Sequence, residues 1–341
     1  MASQSARPGE LLFLDRENVE DALDAGPCLE RVEDTFRWVG EDRVQQSNPF
    51  DLDVSEHDDE FGLGMIQSFP SYVEPLEVAG HKWLGYYERN ASRDLPTINA
   101  VNVLSDAETS LPLAVIEGQS VTAMRTAGHA AVGAKYLAKE DSSVVTIVGC
   151  GDQGRTHLAM MNELFDLERV HACDIADDIR NEFISEMSEE YDVEIIGYTD
   201  AQEAVSGTDV ICTVTSATTP IVKEEWVEPG THVAATAGFY DLEPTLSSKA
   251  DKWVVGWYDR DLSWIEGKHE DNWTADGYEV NEADIHADLT EVMFGDEVGR
   301  ESDDERTVMT HKGMPALDTA AMDLVYEQAR ANGVGTELSL Y

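Results

Sequence analysis

The sequence predicts an α/β protein of two domains, and three observations support this prediction. The chain has 341 residues, enough for two hydrophobic cores. Residues 144–174 have the pattern of a buried strand, a glycine turn, a helix and a second strand, which is the repeating unit of a parallel sheet. Residues 62–118 instead contain short strands and turns of antiparallel character. A parallel sheet and a separate, largely antiparallel domain are therefore expected.

The N-terminal part is predicted as helices followed by strands. After a loose start over residues 1–10, residues 15–40 indicate two short helices, the second opening at Pro27 and apolar on one face. Residues 41–60 are acidic and indicate a strand with an exposed loop. Four strands follow, with the sequences GLGMIQSF, HKWLGYYE, PTINAVNVLSD and SLPLAVIEG. The last two are joined by DAETS and predict a hairpin.

The stretch from Ser120 to Lys139 predicts a helix whose alanines permit close packing. We place Arg125 in its first turn, where the helix dipole makes a cation unfavourable. An arginine in that position suggests an anion to be bound, and its planar fork matches a carboxylate. The alternative is a salt bridge at the surface or between domains, since acidic residues are abundant.

The glycine turn after the apolar strand VVTIV is the centre of the prediction. Gly149, Gly151 and Gly154 form a GxGxxG pattern between a strand and a helix, the context in which this pattern binds a dinucleotide. The first glycine permits the turn, the second lets the backbone approach a pyrophosphate, and the third lets helix and strand pack closely. The pyrophosphate is expected beside Asp152 and Gln153 at the helix N-terminus. This predicts a Rossmann domain; the alternative is a turn that binds nothing.

The residue that ends the second strand, Asp174, predicts the cofactor. Its carboxylate is placed to bind a ribose diol and would repel a 2′-phosphate, so NAD(H) is favoured over NADP(H). His157, one turn into the helix, is interpreted as a packing or capping residue. Further along, Thr215 and Ser216 follow the buried strand DVICTVT at the edge where open α/β sheets bind ligands, and they are expected to contact the cofactor.

The remaining segments complete this sheet. Strands are predicted for HVAATA and KWVVG, and residues 257–283 are interpreted as an acidic connection. A helix from Asp284, a charged loop and the strand ERTVMT then lead to a final helix, Pro315–Asn332.

The composition excludes several kinds of partner. The formal net charge is −46, although 42% of the residues are hydrophobic. The acidic residues are spread along the chain, which indicates a solvated acidic surface suited to concentrated salt, where self-repulsion is screened. Nucleic acids and anionic membranes are improbable partners for such a surface.

The cysteines and histidines give no sign of a metal site. Cys28, Cys150, Cys173 and Cys212 lack CxxC spacing and are interpreted as small buried residues in a reducing cytoplasm. The nine histidines lack ligand spacing, so no metal is expected. No apolar run is long enough to span a membrane and no leader is visible, which predicts a cytoplasmic protein.

Several segments resemble one family, that of ornithine cyclodeaminase, mu-crystallin and archaeal alanine dehydrogenase. They run from residue 81 to the C-terminus in the family order. The segments are HKW, LPT, ETSLPLAVIEG, VTAMRTAGHAAVGAKYLA, VTIVGCGDQGRTHL, ADIHADLTEVMFGDEVGRESDDERTV and GMPALDTAAMDLVYEQARANGVGTEL.

The resemblance implies an arrangement of domains and roles. Residues 1–120 would form an α/β substrate-binding and dimerisation domain, residues 121–312 the Rossmann NAD-binding domain, and residues 313–341 a C-terminal helix returning to the first domain. A small amino, imino or keto acid would bind in the cleft between the domains of a homodimer. Lys82 and Arg125 match the family residues that bind the substrate carboxylate, and Lys82 is also a candidate catalytic residue.

The chain departs from the family pattern around the substrate. The family usually has a basic residue in the segment that here contains VQQSNPFDL, so this carboxylate partner is lost unless Arg43 replaces it. Phe239 stands at the position of the family's catalytic aspartate, and Asp241 is the candidate acid or base, with a turn residue as the alternative. Aromatic side chains suggest a more apolar substrate pocket, unless they are ordinary core residues: Tyr86, Tyr87, Phe239 and Tyr240.

Three functions remain open at this point. The first is an NAD(H)-dependent oxidoreductase acting at the C–N bond of an amino or imino acid, like alanine dehydrogenase or ketimine reductase. The second is ornithine cyclodeaminase, a lyase that recycles NAD internally and releases ammonia. The third is a dimer that binds NAD without catalysis.

Overall fold

The computed structural model describes residues 9–54, 64–93, 95–217, 219–236, 241–268 and 282–340. The chain divides into two compact units. Unit 1 consists of Met1–Arg125 and Met314–Tyr341, and unit 2 consists of Thr126–Gly313. The sequence predicts boundaries after residues 120 and 312, and the roles given to those domains stay predictions.

The described residues form the following strands and helices. The strands are β1 Glu10–Leu14, β2 Val44–Gln46, β3 Phe50–Asp53, β4 Gly64–Val73, β5 Val78–Tyr87, β6 Ile98–Asp106, β7 Pro112–Glu117, β8 Val144–Val148, β9 Arg169–Cys173, β10 Glu194–Tyr198, β11 Val210–Thr213, β12 His232–Thr236, β13 Lys252–Val255, β14 Ala287–Asp288, β15 Thr307–His311 and β16 Thr336–Ser339. The helices are α1 Arg16–Ala22, α2 Ala25–Gly40, α3 Gly118–Leu137, α4 Asp152–Leu164, α5 Asp177–Glu190, α6 Ala201–Val205, α7 Pro244–Lys249, α8 Tyr258–Lys268, α9 Leu289–Phe294 and α10 Pro315–Asn332.

Unit 1 is built on a sheet with the strand order β16-β1-β7-β6-β5-β4-β2, and β3 also pairs with β4. The pairs are antiparallel, except that β1 and β7 are parallel. The predicted hairpin is confirmed as β6 and β7. Helix α10 packs against β4 and β5. Because side chains alternate between the faces of a strand, Lys82, Leu84 and Leu104 share one buried face of this sheet.

Unit 2 is a parallel sheet of the Rossmann type, with the strand order β10-β9-β8-β11-β12-β15-β13-β14. Every strand pair in it is parallel. The predicted unit of strand, turn, helix and strand is confirmed as β8, α4 and β9, with β8 and β9 adjacent. The central strands are apolar because both faces of a parallel sheet are covered by helices, and Val145, Ile147 and Ile211 are fully buried.

The segment 257–283, predicted as an acidic connection, contains a helix. Its first part is helix α8, while residues 269–281 lie outside the described residues. Its acidic residues favour a helix N-terminus, since Asp259 and Asp261 lie in the first turn of α8. Asp261 also accepts a hydrogen bond from the backbone N–H of Trp257 at 3.0 Å.

Two further features concern the part of the chain that the structure describes. None of its helices is long and apolar enough to cross a membrane. Its His, Cys, Asp and Glu side chains form no group that could hold a metal ion.

Candidate functional site

Three glycines shape the turn between β8 and α4. Gly149 has a φ of +105°, and a Cβ there would lie 2.9 Å from the carbonyl oxygen of Val214. A Cβ on Gly154 would collide with the carbonyl oxygen of Gly149. A Cβ on Gly151 would meet nothing within 4 Å. The fold therefore requires the first and third glycines, whereas the space beside Gly151 is open.

The open space lies at the N-terminus of α4. Gly151 is the N-cap residue, and Asp152 and Gln153 are the first residues of the helix. Gly151 has no side chain with which to cap this end by a hydrogen bond. A helix end of this kind offers backbone N–H groups and a positive dipole, which suit a pyrophosphate.

Asp174 follows β9 and faces the glycine turn. Its Oδ2 accepts a hydrogen bond from the N–H of Cys150, and its Oδ1 from the N–H of Ala176, each at 2.9 Å. The neighbouring Arg180 binds the backbone carbonyl of Asp174 at 2.7 Å and forms an ion pair with Asp177 at 2.5 Å. The carboxylate is thus held in place by backbone groups, and the guanidinium beside it is occupied elsewhere. This arrangement fits a ribose diol better than a 2′-phosphate.

Replacing Asp174 by Ala is expected to weaken NADH binding about tenfold, the loss of one charge-assisted hydrogen bond. NADPH binding should weaken less or improve, because the repulsion of its 2′-phosphate is removed. Fluorescence titration with both nucleotides measures the two dissociation constants. Asp178→Ala is the matched control, because Asp178 is an exposed acid in the first turn of α5 and its loss leaves the ion pair of Arg180 with Asp177 in place, so both constants should be unchanged. Equal affinities of wild type and Asp174→Ala for both nucleotides would refute the role of Asp174.

The loop after β11 is bound to Asp241. The hydroxyl of Thr215 donates to Asp241 Oδ1 at 2.6 Å, and the Thr215 N–H donates to Oδ2 at 3.2 Å. The backbone carbonyl of Asp241 also accepts the N–H groups of Ile221 and Val222. Two predicted site residues therefore meet, with Ser216 next to them in the chain. The contacts place Asp241 in the support of this loop, and its assignment as a catalytic acid or base stays a prediction.

His157 heads a buried chain of hydrogen bonds. Its Nδ1 lies 2.7 Å from the carbonyl oxygen of Gln153 and must donate to it, so Nε2 accepts from the hydroxyl of Thr236 at 2.9 Å. Thr236 Oγ1 in turn accepts from Nε2 of His311 at 3.0 Å. Burial lowers the pKa of His157 to about 4, so the ring is neutral. These contacts agree with its interpretation as a packing and capping residue at the start of α4.

In unit 1, Lys82 and Arg125 converge on one carboxylate. Lys82 Nζ lies 2.8 Å from both oxygens of Asp318, and Arg125 Nε lies 2.8 Å from Oδ1. The side chains of Lys82 and Asp318 are 0% exposed and that of Arg125 is 5% exposed. Sequence reasoning selected the two cations and missed Asp318. The signal that could have found it is an acidic residue in the first turn of an otherwise apolar helix, α10.

The surroundings of Lys82 favour the neutral form of its side chain. Burial lowers its pKa to about 7, the nearby Asp318 carboxylate raises it, and the Arg125 guanidinium lowers it. The ammonium also lies 4.3 Å from the ring centre of Phe69 and 3.4 Å from the hydroxyl of Thr122. A lysine with a pKa near neutrality can both give and take a proton at physiological pH.

The position of Arg125 corrects the prediction that it lies in the first turn of its helix. Helix α3 begins at Gly118, so Arg125 lies about two turns into it. The helix begins early because the Glu117 carboxylate accepts the N–H groups of Gln119 and Ser120, at 2.5 and 2.9 Å. The dipole acts mainly within the first turn, so Asp318 rather than the helix end balances the charge of Arg125.

The structure shows whether Arg43 replaces the basic residue that the family usually has in the segment VQQSNPFDL. Arg43 is half-exposed and pairs with Glu74 at 3.3 Å and Glu41 at 3.7 Å, so it does not replace a residue of the buried cluster. In the same segment, Gln46 Oε1 accepts the N–H of Ala316 at 3.0 Å, at the start of α10. This neutral side chain therefore holds the helix that carries Asp318.

The aromatic residues proposed to line the substrate pocket are described only in part. Tyr86 and Tyr87 are partly buried at the end of β5. Phe239 and Tyr240 lie outside the described residues. The expectation of an apolar substrate pocket thus stays a prediction.

Together, the fold and these two groups of residues define a Rossmann-type protein with a second, mixed α/β unit that carries a buried lysine–arginine–aspartate cluster. A family model described as the ornithine cyclodeaminase/mu-crystallin family matches residues 10–333. The chain belongs to that family.

Individual relatives are similar over nearly the whole chain. Alanine dehydrogenase of Archaeoglobus fulgidus is 32% identical, with 97% of this chain and 99% of the relative covered. The structure of Δ1-pyrroline-2-carboxylate reductase of Thermococcus litoralis, in complex with NADH and L-proline, is 31% identical with a TM-score of 0.86, and 96% and 99% of the two chains are covered. The structure of an archaeal alanine dehydrogenase dimer with bound NAD is 29% identical with a TM-score of 0.85. The match covers 97% of this chain and 100% of the relative.

Proposed function

We propose that the protein is an NAD(H)-dependent oxidoreductase that acts on the C–N bond of an amino or imino acid. The observation that carries this proposal is the buried cluster of Lys82, Arg125 and Asp318, two cations on one carboxylate. Such a cluster retains a positive charge while Lys82 is protonated, and it suits a substrate with a single carboxylate. The relatives named above act on alanine and on pyrroline-2-carboxylate, which are substrates of this kind.

The glycine turn fits NAD(H). Gly151 leaves room for a pyrophosphate at the start of α4, Asp174 presents a carboxylate to a ribose diol, and Thr215 and Ser216 follow β11 at the carboxyl edge of the sheet. The bound cofactor would accept a hydride from the substrate α-carbon in the oxidative direction and return it in the reductive direction. The two solved relatives contain NADH and NAD, respectively.

The side chains of unit 1 would bind the substrate and move its proton. Arg125 would bind the carboxylate and fix the α-carbon, which lowers the entropic cost of reaching the reactive geometry. In the oxidative direction the amino acid loses a hydride from carbon and a proton from nitrogen, giving the imino acid. Lys82, whose pKa lies near 7, would accept that proton, and it would return a proton to the imine nitrogen during reduction.

Asp241 is a second candidate for proton transfer. Burial raises its pKa, and the hydrogen bonds from Thr215 and Thr213 lower it. Because Thr215 binds both carboxylate oxygens, a proton on Asp241 would displace one of these bonds. Lys82 is therefore the preferred proton carrier, and Asp241 remains the alternative.

The pH dependence follows from the pKa of Lys82. We expect kcat/KM for amine oxidation to rise with pH through about 7, because neutral Lys82 accepts the proton. We expect kcat/KM for imine reduction to fall over the same range, because protonated Lys82 donates it. Lys82→Arg should abolish both of these pH-dependent changes in kcat/KM, since a guanidinium group does not titrate near pH 7. Lys252 is a buried lysine of β13 that pairs with Glu301, and Lys252→Arg should retain both pH-dependent changes. A step near pH 7 that persists in Lys82→Arg would exclude Lys82 as the proton carrier.

The experiment that tests the function follows NADH absorbance and ammonia together in molar KCl. The protein is given NAD⁺ with a panel of amino acids, and NADH with keto acids plus amines or with cyclic imines. A substrate-dependent change in NADH supports the oxidoreductase and identifies its substrate class. Ammonia from ornithine or lysine without a change in NADH would instead indicate a cyclodeaminase. Bound NADH with no change in either signal would indicate a binding protein.

We also infer a homodimer formed through unit 1. The outer face of its sheet exposes a row of apolar side chains across β3, β5 and β6, in which Phe50 pairs with Ser68, Ser68 with Trp83, and Trp83 with Val101. Phe50 is 65% exposed, Trp83 43% and Val101 45%. Exposed apolar side chains grouped on one face, here with the polar Ser68 between Phe50 and Trp83, are typical of interfaces, and one solved relative is a dimer.

The setting that we propose is a salt-rich cytoplasm. A net charge of −46 is self-repulsive in dilute buffer and is screened in concentrated salt. All four cysteines are buried and unpaired, as is usual in a reducing compartment.

A further inference from the structure

Asn102 is a buried polar residue without an assigned role. It lies on β6 directly opposite Lys82 on β5, so both side chains leave the same face of the sheet. Its exposure is 0%. Within the described residues, neither Nδ2 nor Oδ1 of Asn102 has a hydrogen-bond partner. Folded proteins pair nearly all of their buried polar groups, because an unpaired amide loses its hydration without compensation.

A second unpaired donor belongs to the same cluster. Arg125 Nε binds Asp318, but Arg125 Nη1 has no hydrogen-bond partner among the described residues, although the side chain is 5% exposed. Among the described residues, donors on Arg125 and Asn102 and the amide oxygen of Asn102 are therefore unused, and Asp318 Oδ2, although 2.8 Å from Lys82 Nζ, makes no hydrogen bond either. Unused donors and an unused acceptor at one buried place indicate a ligand that carries both kinds of group.

We propose that Asn102 is a substrate-binding residue that recognises the substrate's amino or imino nitrogen together with its carboxylate. Nδ2 would donate to a carboxylate oxygen, and Oδ1 would accept an N–H one carbon away. An α-amino or α-imino acid offers these groups side by side, whereas a simple carboxylic acid offers only the acceptor. This inference rests on the proposed function and narrows its substrate class.

The charges of the cluster agree with a single substrate carboxylate. With Lys82 protonated, the state that acts in imine reduction, Lys82 and Arg125 contribute two positive charges and Asp318 one negative charge, which leaves one positive charge to be balanced. Asn102 can add hydrogen bonds without changing this balance. A carboxylate side chain in its place would consume the remaining charge and repel the substrate.

The test replaces Asn102 by Leu, which has a similar volume and no hydrogen-bonding group. L-alanine and L-proline with NAD⁺ are the probes, and KM, kcat, the NADH dissociation constant and the melting temperature of the free protein are measured. KM should rise about tenfold or more, since a charge-assisted hydrogen bond is lost, while NADH binding stays within about twofold. The melting temperature should stay equal or rise, because an unpaired buried amide has been removed. A merely structural asparagine would show a lower melting temperature and an unchanged KM.

A control on the same strand separates this effect from general damage to β6. Asn99 is exposed and its Nδ2 donates to the carbonyl oxygen of Pro96 at 2.9 Å. Asn99→Leu should leave KM unchanged. If Asn102→Leu does not fold, Asn102→Ala is measured by the same criteria.

The outcomes distinguish this inference from the proposed function. An active wild type with an unchanged KM in the Asn102 variants overturns the role of Asn102 and leaves the proposed function intact. A wild type that binds NADH but turns over no amino or imino acid overturns the proposed function, and the role of Asn102 with it.

Discussion

Asp318→Asn is expected to lower the free energy of unfolding by about 3–5 kcal/mol, the usual cost of leaving a buried charge without its partner. Asparagine has nearly the same shape, so the change removes the charge and little else. Lys82 and Arg125 then share a buried site without an anion. Urea denaturation in molar KCl, with wild type and variant at the same pH, measures the difference.

The loss should depend on pH in a defined direction. Burial already lowers the pKa of Lys82 to about 7, and removing Asp318 removes an interaction that raises it. In the variant the folded protein therefore binds fewer protons than the unfolded chain over a wider range of pH. Stability then rises as pH increases through that range, because the neutral lysine no longer needs a counter-ion. The loss of unfolding free energy in Asp318→Asn should be larger at pH 6 than at pH 9. Part of the loss should persist at both pH values, because Arg125 stays charged.

Asp323→Asn on the same helix provides the comparison. Asp323 binds Arg31 at 2.7 Å, but Arg31 also pairs with Glu327 at 2.9 Å, and the Glu327 side chain is 58% exposed. The arginine therefore keeps a partner and contact with water after the change. We expect a smaller loss than for Asp318→Asn. Equal losses in the two variants would contradict the special cost assigned to the Lys82–Arg125–Asp318 cluster.

Two substitutions in the glycine turn are expected to have different effects, one on cofactor binding and the other on stability. Gly151→Ala is expected to reduce NADH affinity about 100-fold, because a methyl group would enter the space where the pyrophosphate approaches the backbone. Its folding should be unaffected, since a Cβ there meets nothing within 4 Å. Gly154→Ala should lose about 1–3 kcal/mol of stability, because its Cβ collides with the carbonyl oxygen of Gly149.

Isothermal titration with NADH and thermal unfolding of each variant in the same buffer measure both effects. Gly207→Ala supplies a reference for a glycine outside the turn, where a Cβ also meets nothing within 4 Å. Because Gly207 has a φ of +69°, this reference should lose some stability and no NADH affinity. If Gly151→Ala binds NADH as tightly as wild type, the pyrophosphate does not approach this residue.

The parts of the fold that depend on local sequence could be predicted. The glycine turn has its determinants within residues 144–174, and the hairpin of β6 and β7 lies in a single short stretch. Both were predicted because strand pattern, turn residues and helix start agree locally. The helix α8 was missed because acidic residues suit both an exposed loop and the first turn of a helix.

The partners in the buried cluster could not be predicted in the same way. Lys82 and Arg125 could each be selected, but Asp318 reaches them across 236 and 193 residues of chain. No local pattern encodes such a contact. Nor does a sequence reveal that Asn102 has an unpaired amide, because pairing depends on every neighbour in space. The interpretation of Arg125 pointed to an anion, as the structure also does, but the reason given was wrong, since the helix begins at Gly118.

The division of unit 1 along the chain has a consequence for the order of synthesis. Residues up to Arg125 leave the ribosome before unit 2, which is continuous from Thr126 to Gly313. Helix α10 and strand β16 emerge after unit 2, although they belong to unit 1. Until α10 has been synthesised, Lys82 and Arg125 lack the carboxylate of Asp318. The nascent chain can therefore complete unit 2 before unit 1, whose buried cluster gains its carboxylate only after all of unit 2 has been made.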